Sequence, residues 1–292
     1  VGADGRYDLR RFAPAFWDKL DAVIAHGAKL DIVFELTLFD ERDLSRSDTG
    51  GWPQHPFHQA NGGPLGGLSG SPAFYDLTNE ANRAAQEAYV AHLLARTAGC
   101  ANVRYELSAN LNRRGTANRL GLRWAEHWAA FFREHDPFDH LVSLHVVQDP
   151  TAYFLIDGLD IANVHGDQVP EATGIRMPVF LSEPSAPSPA VERALFWKAL
   201  LLGTAVSRVP GQGLTVRPPA FEQLQYLADF ATVLKPWELR NDRDVVLAAP
   251  GGTEALAVGR PEEWIVYLTG SCQEGTLRLG LAAGRYGISW LD

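Results

Sequence analysis

The feature that most constrains this chain is an alternation of short apolar runs with helix-length amphipathic stretches. Phe12, Phe16, Leu20, Val23 and Ile24 recur at helical spacing from Leu9 to Ala25, Gly27 ends that segment, and the run Asp31-Ile-Val-Phe-Glu-Leu-Thr-Leu-Phe39 follows. Helix Asn79 to Ala98 leads to strand Val103 to Ser108, and helix Leu120 to His135 leads to strand Leu141 to Val147. Strands at Leu159 to Val164, Pro178 to Ser182 and Gly203 to Val209 come next, with helices Pro189 to Leu202 and Pro219 to Leu234. Repeated strand–helix units demand parallel strands, and the Asp31 run is apolar enough to be covered on both faces. The spacing suits a closed barrel better than an open sheet. A barrel of this kind needs about eight strands, so the sequence predicts a (β/α)8 TIM barrel whose first two strands lie upstream of Val1.

The pattern changes after Lys235-Pro-Trp237. Val245 to Ala249, Glu254 to Val258, Trp264 to Thr269, Thr276 to Leu281 and Gly287 to Leu291 read as short alternating strands, cut short at Trp290-Leu-Asp292. The expected domains are therefore a partial barrel over 1–238 and a small C-terminal antiparallel β-sandwich over 241–292. Hydrophobic and charged shares of 46% and 21% are ordinary for a globular chain, which excludes disorder. A net charge of -9 without a basic stripe argues against a nucleic-acid partner. No apolar run approaches the roughly 20 residues that span a bilayer, so no membrane partner is expected. Val1-Gly2-Ala3-Asp4 is not a signal peptide; location stays open, a secreted or periplasmic one being compatible. Cys100 and Cys272 show neither zinc-ligand nor disulfide-framework spacing.

Catalytic groups of such barrels stand at the carboxyl ends of strands, which selects Glu183 at the end of Met177-Pro-Val-Phe-Leu-Ser-Glu183. The phrase Asn102-Val-Arg-Tyr-Glu-Leu-Ser-Ala-Asn110 resembles the fourth strand of clan A glycoside hydrolases, the cellulase-like, family 5-type barrels. Trp52-Pro-x-His-Pro-Phe57 with Asn61-Gly-Gly63, Phe196-Trp-Lys-Ala-Leu-Leu-Leu-Gly203 and the closing Ala-Gly-Arg-Tyr-Gly-Ile-Ser-Trp-Leu-Asp292 resemble other parts of that family. The resemblance implies a retaining glycosidase with Glu183 as nucleophile, acting on an oligo- or polysaccharide. It also implies substrate-binding roles for Trp52, His55, Asn61, His145 and His165, with Trp52 and Trp124 as sugar platforms.

One departure matters. Where the family has Asn-Glu this chain has Ala109-Asn110, so the acid/base carboxylate is replaced by an amide that cannot donate a catalytic proton. Glu106 lies four residues earlier, about 13 Å deeper at a strand rise of about 3.3 Å per residue. Asp40, Glu41 and Asp43 follow a strand end and are the alternative acids. A non-catalytic carbohydrate-binding descendant is the competing expectation. A metal-dependent hydrolase would need His55, His58, His145, His165 and Asp167 to converge, which their spacing does not indicate; no metal and no cofactor are expected.

Overall fold

The computed structural model describes residues 5–45, 51–113, 118–148, 150–165, 177–182, 189–206, 218–235, 238–271 and 274–290. They form two compact units, one of residues 1–165 with 174–182 and the other of 166–173 with 183–292.

The first unit is built on helix α1 (Pro14–Ala28), strand β1 (Phe34–Thr37), the short α2 (Glu41–Ser45), α3 (Glu80–Thr97), β2 (Val103–Glu106), α4 (Asn118–His135), β3 (Val142–Val146), the short α5 (Pro150–Tyr153), β4 (Ile161–His165) and β5 (Val179–Ser182). The strands pair in sequence order and every pair is parallel. Pro14 starts α1, where its missing N–H costs nothing, and the Asn79 side chain caps α3 by accepting from Asn82 N. Gly27 lies inside α1 rather than after it.

Along each strand alternate side chains point outward into a core shared with the helices. Val103, Tyr105, Val142, Leu144, Val179 and Leu181 are buried there with Trp124, Trp128 and Phe132 of α4. Each of the large side chains removes on the order of 1.5–3 kcal/mol of exposed apolar surface from water. The inward set is polar: Glu35, Arg104, Glu106, Ser143 and Asn163. β1 departs from the expected strand covered on both faces. Its residues are half-buried or exposed, and Leu30, Ile32 and Val33 just before it are solvent-exposed. Among the described residues β1 pairs only with β2.

The second unit holds α6 (Pro189–Leu201), β6 (Thr204–Val206), α7 (Pro218–Leu234), β7 (Arg240–Asn241), β8 (Val246–Ala248), β9 (Thr253–Arg260), β10 (Glu263–Gly270) and β11 (Arg278–Leu279). β10, β9 and β7 make one antiparallel sheet, and β11 pairs with β8 in another. Residues 287–290 carry no strand pairing among the described residues, and Ile288 and Trp290 there are exposed. The expected boundary near 238–241 falls inside this unit. Trp197 of α6 explains why: it packs edge-on against Phe230 of α7 (4.7 Å) and stacks on Tyr267 of β10 (6.1 Å). Lys198 reinforces the junction through Glu254 of β9.

Candidate functional site

The carboxyl ends of β1, β2 and β3 are knitted together beyond the regular ladder. Leu38 N donates to Glu106 O, Ala109 N to Phe39 O, and Glu41 N to Ala109 O. On the other side Leu111 N donates to His145 O and Val147 N to Leu111 O. The chain after β2 therefore continues between both neighbours, but irregularly: Asn110 and Asn112 adopt φ values of 58° each, in the left-handed region. Asparagine is among the few non-glycine residues that enter this region readily. Both residues are buried, Asn110 to 1% exposure.

Asn110 is held from two sides. Its side-chain amide donates to Asp40 Oδ1 (3.2 Å), and its peptide N–H donates to His145 Nδ1 (3.3 Å), which leaves the imidazole hydrogen on Nε2. Asp40 is in turn clamped by Arg42, whose N and Nε donate to its two oxygens at 2.9 Å each. Glu41 is buried, and that burial raises its pKa against the opposing pull of the Asn112 and Arg113 peptide groups and the Tyr75 hydroxyl. The Tyr75 hydroxyl donates to Glu41 Oε2 at 3.4 Å. Burial, followed by the nearby Glu41 charge, likewise pushes the Tyr75 phenol well up. Asp40 and Glu41 thus both act as struts for the turn after β2: one holds the Asn110 amide, the other lies under the Asn112–Arg113 peptides.

The long loop after α2 is a packed segment with its own core. Trp52 is 1% exposed, donates Nε1–H to Gly67 O (3.0 Å), and packs against His55 and His58. Gly70 presses on its indole so closely that a Cβ would lie 2.5 Å from the ring. No face of Trp52 is open to a sugar, nor is one of Trp124, fully buried with its Nε1–H on Gln86 Oε1. The expected platforms are core residues because ring neighbours cover them, His55 and His58 at Trp52, and Phe74 (tilted) and Tyr75 (edge-on) at Trp124. The Asn61 amide donates to Pro53 O and His55 O, stapling the loop across its base. His55 Nδ1 accepts from Phe57 N, and burial, then the neighbouring His58, lowers its pKa to about 4.

The structure therefore brings Asn110 and His145 together with Asp40, and places Trp52, His55 and Asn61 in a separate loop knot. His165 closes β4 in register with Ser182 of β5. Glu183 and Asp167 lie outside the described residues. Among the described residues no three His, Cys, Asp or Glu side chains converge as a metal site, and no helix is long and apolar enough to cross a membrane.

A second polar cluster, not anticipated beyond Glu106, fills the inner face of the strands. Glu35 Oε1 accepts from Ser143 Oγ (2.6 Å), Asn163 Nδ2 (3.1 Å) and Arg104 Nε (3.2 Å), while Arg104 lies over the Phe180 ring at 4.2 Å. Glu106 accepts from the same Asn163 Nδ2 (2.6 Å) and from Thr37 Oγ1 (2.6 Å). Burial, and after it the Glu35 charge, pushes the Glu106 carboxyl up to about 7. The sequence does carry the signal. Glu35 and Thr37, Arg104, Glu106 and Ser108, Ser143 and His145, and Asn163 and His165 each alternate with apolar residues.

Comparison with known proteins bears on the fold. No protein-family profile matches the chain, and no curated protein sequence matches it. Among solved structures it is similar to a glycoside hydrolase family 5 protein from Bacteroides vulgatus (TM-score 0.61, 14% identity), covering 91% of this chain and 66% of that one. It is also similar to a second Bacteroides vulgatus structure provisionally assigned as a glycoside hydrolase (TM-score 0.57, 20% identity), covering 88% of this chain and 50% of that one. A third, described as a glycoside hydrolase, gives a TM-score of 0.52 at 14% identity over 90% of this chain and 77% of that one. The chain thus spans about two thirds and half of the first two. These likenesses show a TIM-barrel-like α/β fold.

Proposed function

We propose that this chain is a glycoside hydrolase-like protein that holds an oligo- or polysaccharide at the carboxyl ends of its parallel strands and is built for a retaining reaction with its acid/base removed. Glu183, directly after β5, is the proposed nucleophile; His145 and His165 are the proposed sugar contacts. The observation that supports this reading is Asn110, buried and tied by its amide to Asp40, at the position where the sequence resemblance puts the family's proton donor. Two carboxylates of the adjoining segment are already engaged, Asp40 by Arg42 and the Asn110 amide and Glu41, buried, by Tyr75. Loss of general acid–base help costs about 10²- to 10⁴-fold, mostly with poor leaving groups.

The test is a panel of aryl glycosides set beside the matching unactivated oligosaccharides. Activated substrates should react slowly, unactivated ones barely, and a glycosyl adduct should accumulate on the peptide that carries Glu183, because no base activates water. Glu183→Ala should abolish the adduct. Efficient cleavage of unactivated substrates, indifferent to changes at Asn110, would overturn the reading. The engagement of Asp40 and Glu41 also favours a second reading, a carbohydrate-binding protein without turnover: saccharide affinity by calorimetry with no adduct at all would select it.

A further inference from the structure

Asn163 Nδ2 is the hydrogen-bond donor to two carboxylates on different strands, Glu35 of β1 and Glu106 of β2, at 3.1 and 2.6 Å. Nothing in the proposed carbohydrate chemistry uses this arrangement. We propose that Glu35, Asn163 and Glu106 form a proton-operated clasp that fastens the edge strand β1 to the inner face of the sheet, closed when Glu106 carries a proton and loosened when it does not.

The charges around Glu106 favour such a proton. β1 presents Glu35, with Asp40 beyond its end, both negative; β2 itself presents Arg104, the cluster's cation, which is already bound to Glu35 and stacked on Phe180. β3 contributes Ser143, which donates to Glu35, and His145 lies one inward position further toward the carboxyl ends; β4 contributes Asn163 with His165 beyond it, and β5 Phe180. With a proton on Oε2, Glu106 donates to Thr37 Oγ1 across 2.6 Å while Oε1 still accepts from Asn163, so β1, β2 and β4 are joined by one uncharged acid. Without it, two carboxylates face each other across the one amide that bridges them, and like charges in such buried surroundings repel strongly. β1 is the strand that gives way, since its ladder to β2 is four residues long and among the described residues it has no other strand partner.

The direction follows from linkage. Glu106 is pushed from 4.5 up to about 7 in the folded state, so the clasp is fully fastened below 4.5 and weakens as pH rises toward 7, beyond which it changes no further. Hydrogen exchange of the peptide that contains Phe34–Thr37, corrected for the intrinsic rate, should show protection falling roughly tenfold per pH unit across that window, then levelling off. Glu106→Gln keeps the acceptor for Asn163 and a donor for Thr37, and should hold protection constant with pH. Glu35→Gln removes the competing charge and should move the fall to lower pH. A carbonyl NMR titration of Glu106 provides a readout that needs no variant. Protection independent of pH, the same pH dependence in Glu106→Gln, or a Glu106 that titrates near the ordinary carboxylate range would each overturn the proposal.

Discussion

Asn110 occupies a backbone conformation that its own side chain suits and most others do not. At φ 58° an L-residue with an ordinary Cβ is strained by about 1–2 kcal/mol, less for asparagine and not at all for glycine. Asn110→Gly should therefore lose only the Asp40 hydrogen bond, whereas Asn110→Ala should lose that bond and add strain, for a further drop of about 1 kcal/mol in urea-unfolding stability. Asn110→Glu combines the strain with a carboxylate set against Asp40, so it should destabilise more than Ala. Yet if the proposed function holds, it should raise turnover of unactivated glycosides. Finding Asn110→Gly as destabilised as Asn110→Ala would remove the conformational argument. Asn110 could be singled out in the sequence because a strand-end phrase fixed its position. Its left-handed turn could not, since the bulge arises from hydrogen bonds to residues 35 to 70 positions away in Asp40 and His145.

At the scale of elements, the long loop after α2 shows how polar groups secure an aromatic core. Gln86 of α3 donates to Phe74 O and accepts from Trp124 Nε1, both at buried positions. Gln86→Leu takes the amide from the buried Trp124 indole N–H and from Asn82 Oδ1, while Phe74 O keeps its bond from Asn82 Nδ2, and should cost about 2 kcal/mol, read as a lowered urea midpoint; an unchanged midpoint would show that water replaces the amide. His55 adds a pH dependence of opposite sign to that of Glu106. Its pKa is lowered from 6.5 to about 4, so protonation favours the unfolded state: its contribution is complete above 6.5 and is lost as pH falls toward 4, by at most roughly 3 kcal/mol. His55→Asn keeps an acceptor for Phe57 N, so its stability should depend less on pH than the wild type's over that range, measured by urea unfolding at each pH. Most helices and strands were legible because apolar periodicity marks them. The inner-face cluster is legible only in alternate residues, where Glu35 and Thr37 stand out, because the run 31–39 taken whole is apolar.

At the scale of the molecule, the parallel α/β order of the strands was plain in the sequence, whereas membership of the two compact units rests on packing that local pattern does not show. Local pattern shifts at Pro236, whereas the packing that decides unit membership comes from Trp197, far earlier in the chain, meeting Tyr267. An apolar, solvent-exposed stretch precedes β1 in the first unit. Leu30 and Val33 are 58% and 63% exposed, Ile32 is exposed beside them, and β1 offers backbone groups with no strand alongside among the described residues. Apolar side chains next to an unpaired strand edge make a template for association between chains, and proteins that keep such an edge soluble usually place a charge on it. The nearest carboxylate on β1, Glu35, points inward and is consumed by Ser143, Asn163 and Arg104, so it gives no such protection. The chain should therefore self-associate as its concentration rises, seen as a growing average mass in light scattering. Val33→Lys puts a charge at the most exposed of these positions, where little packing is lost, and should shift the onset to higher concentration without lowering the melting temperature by more than a few degrees. A monodisperse monomer across the concentration series, unaffected by Val33→Lys, would show that this edge is not sticky in solution.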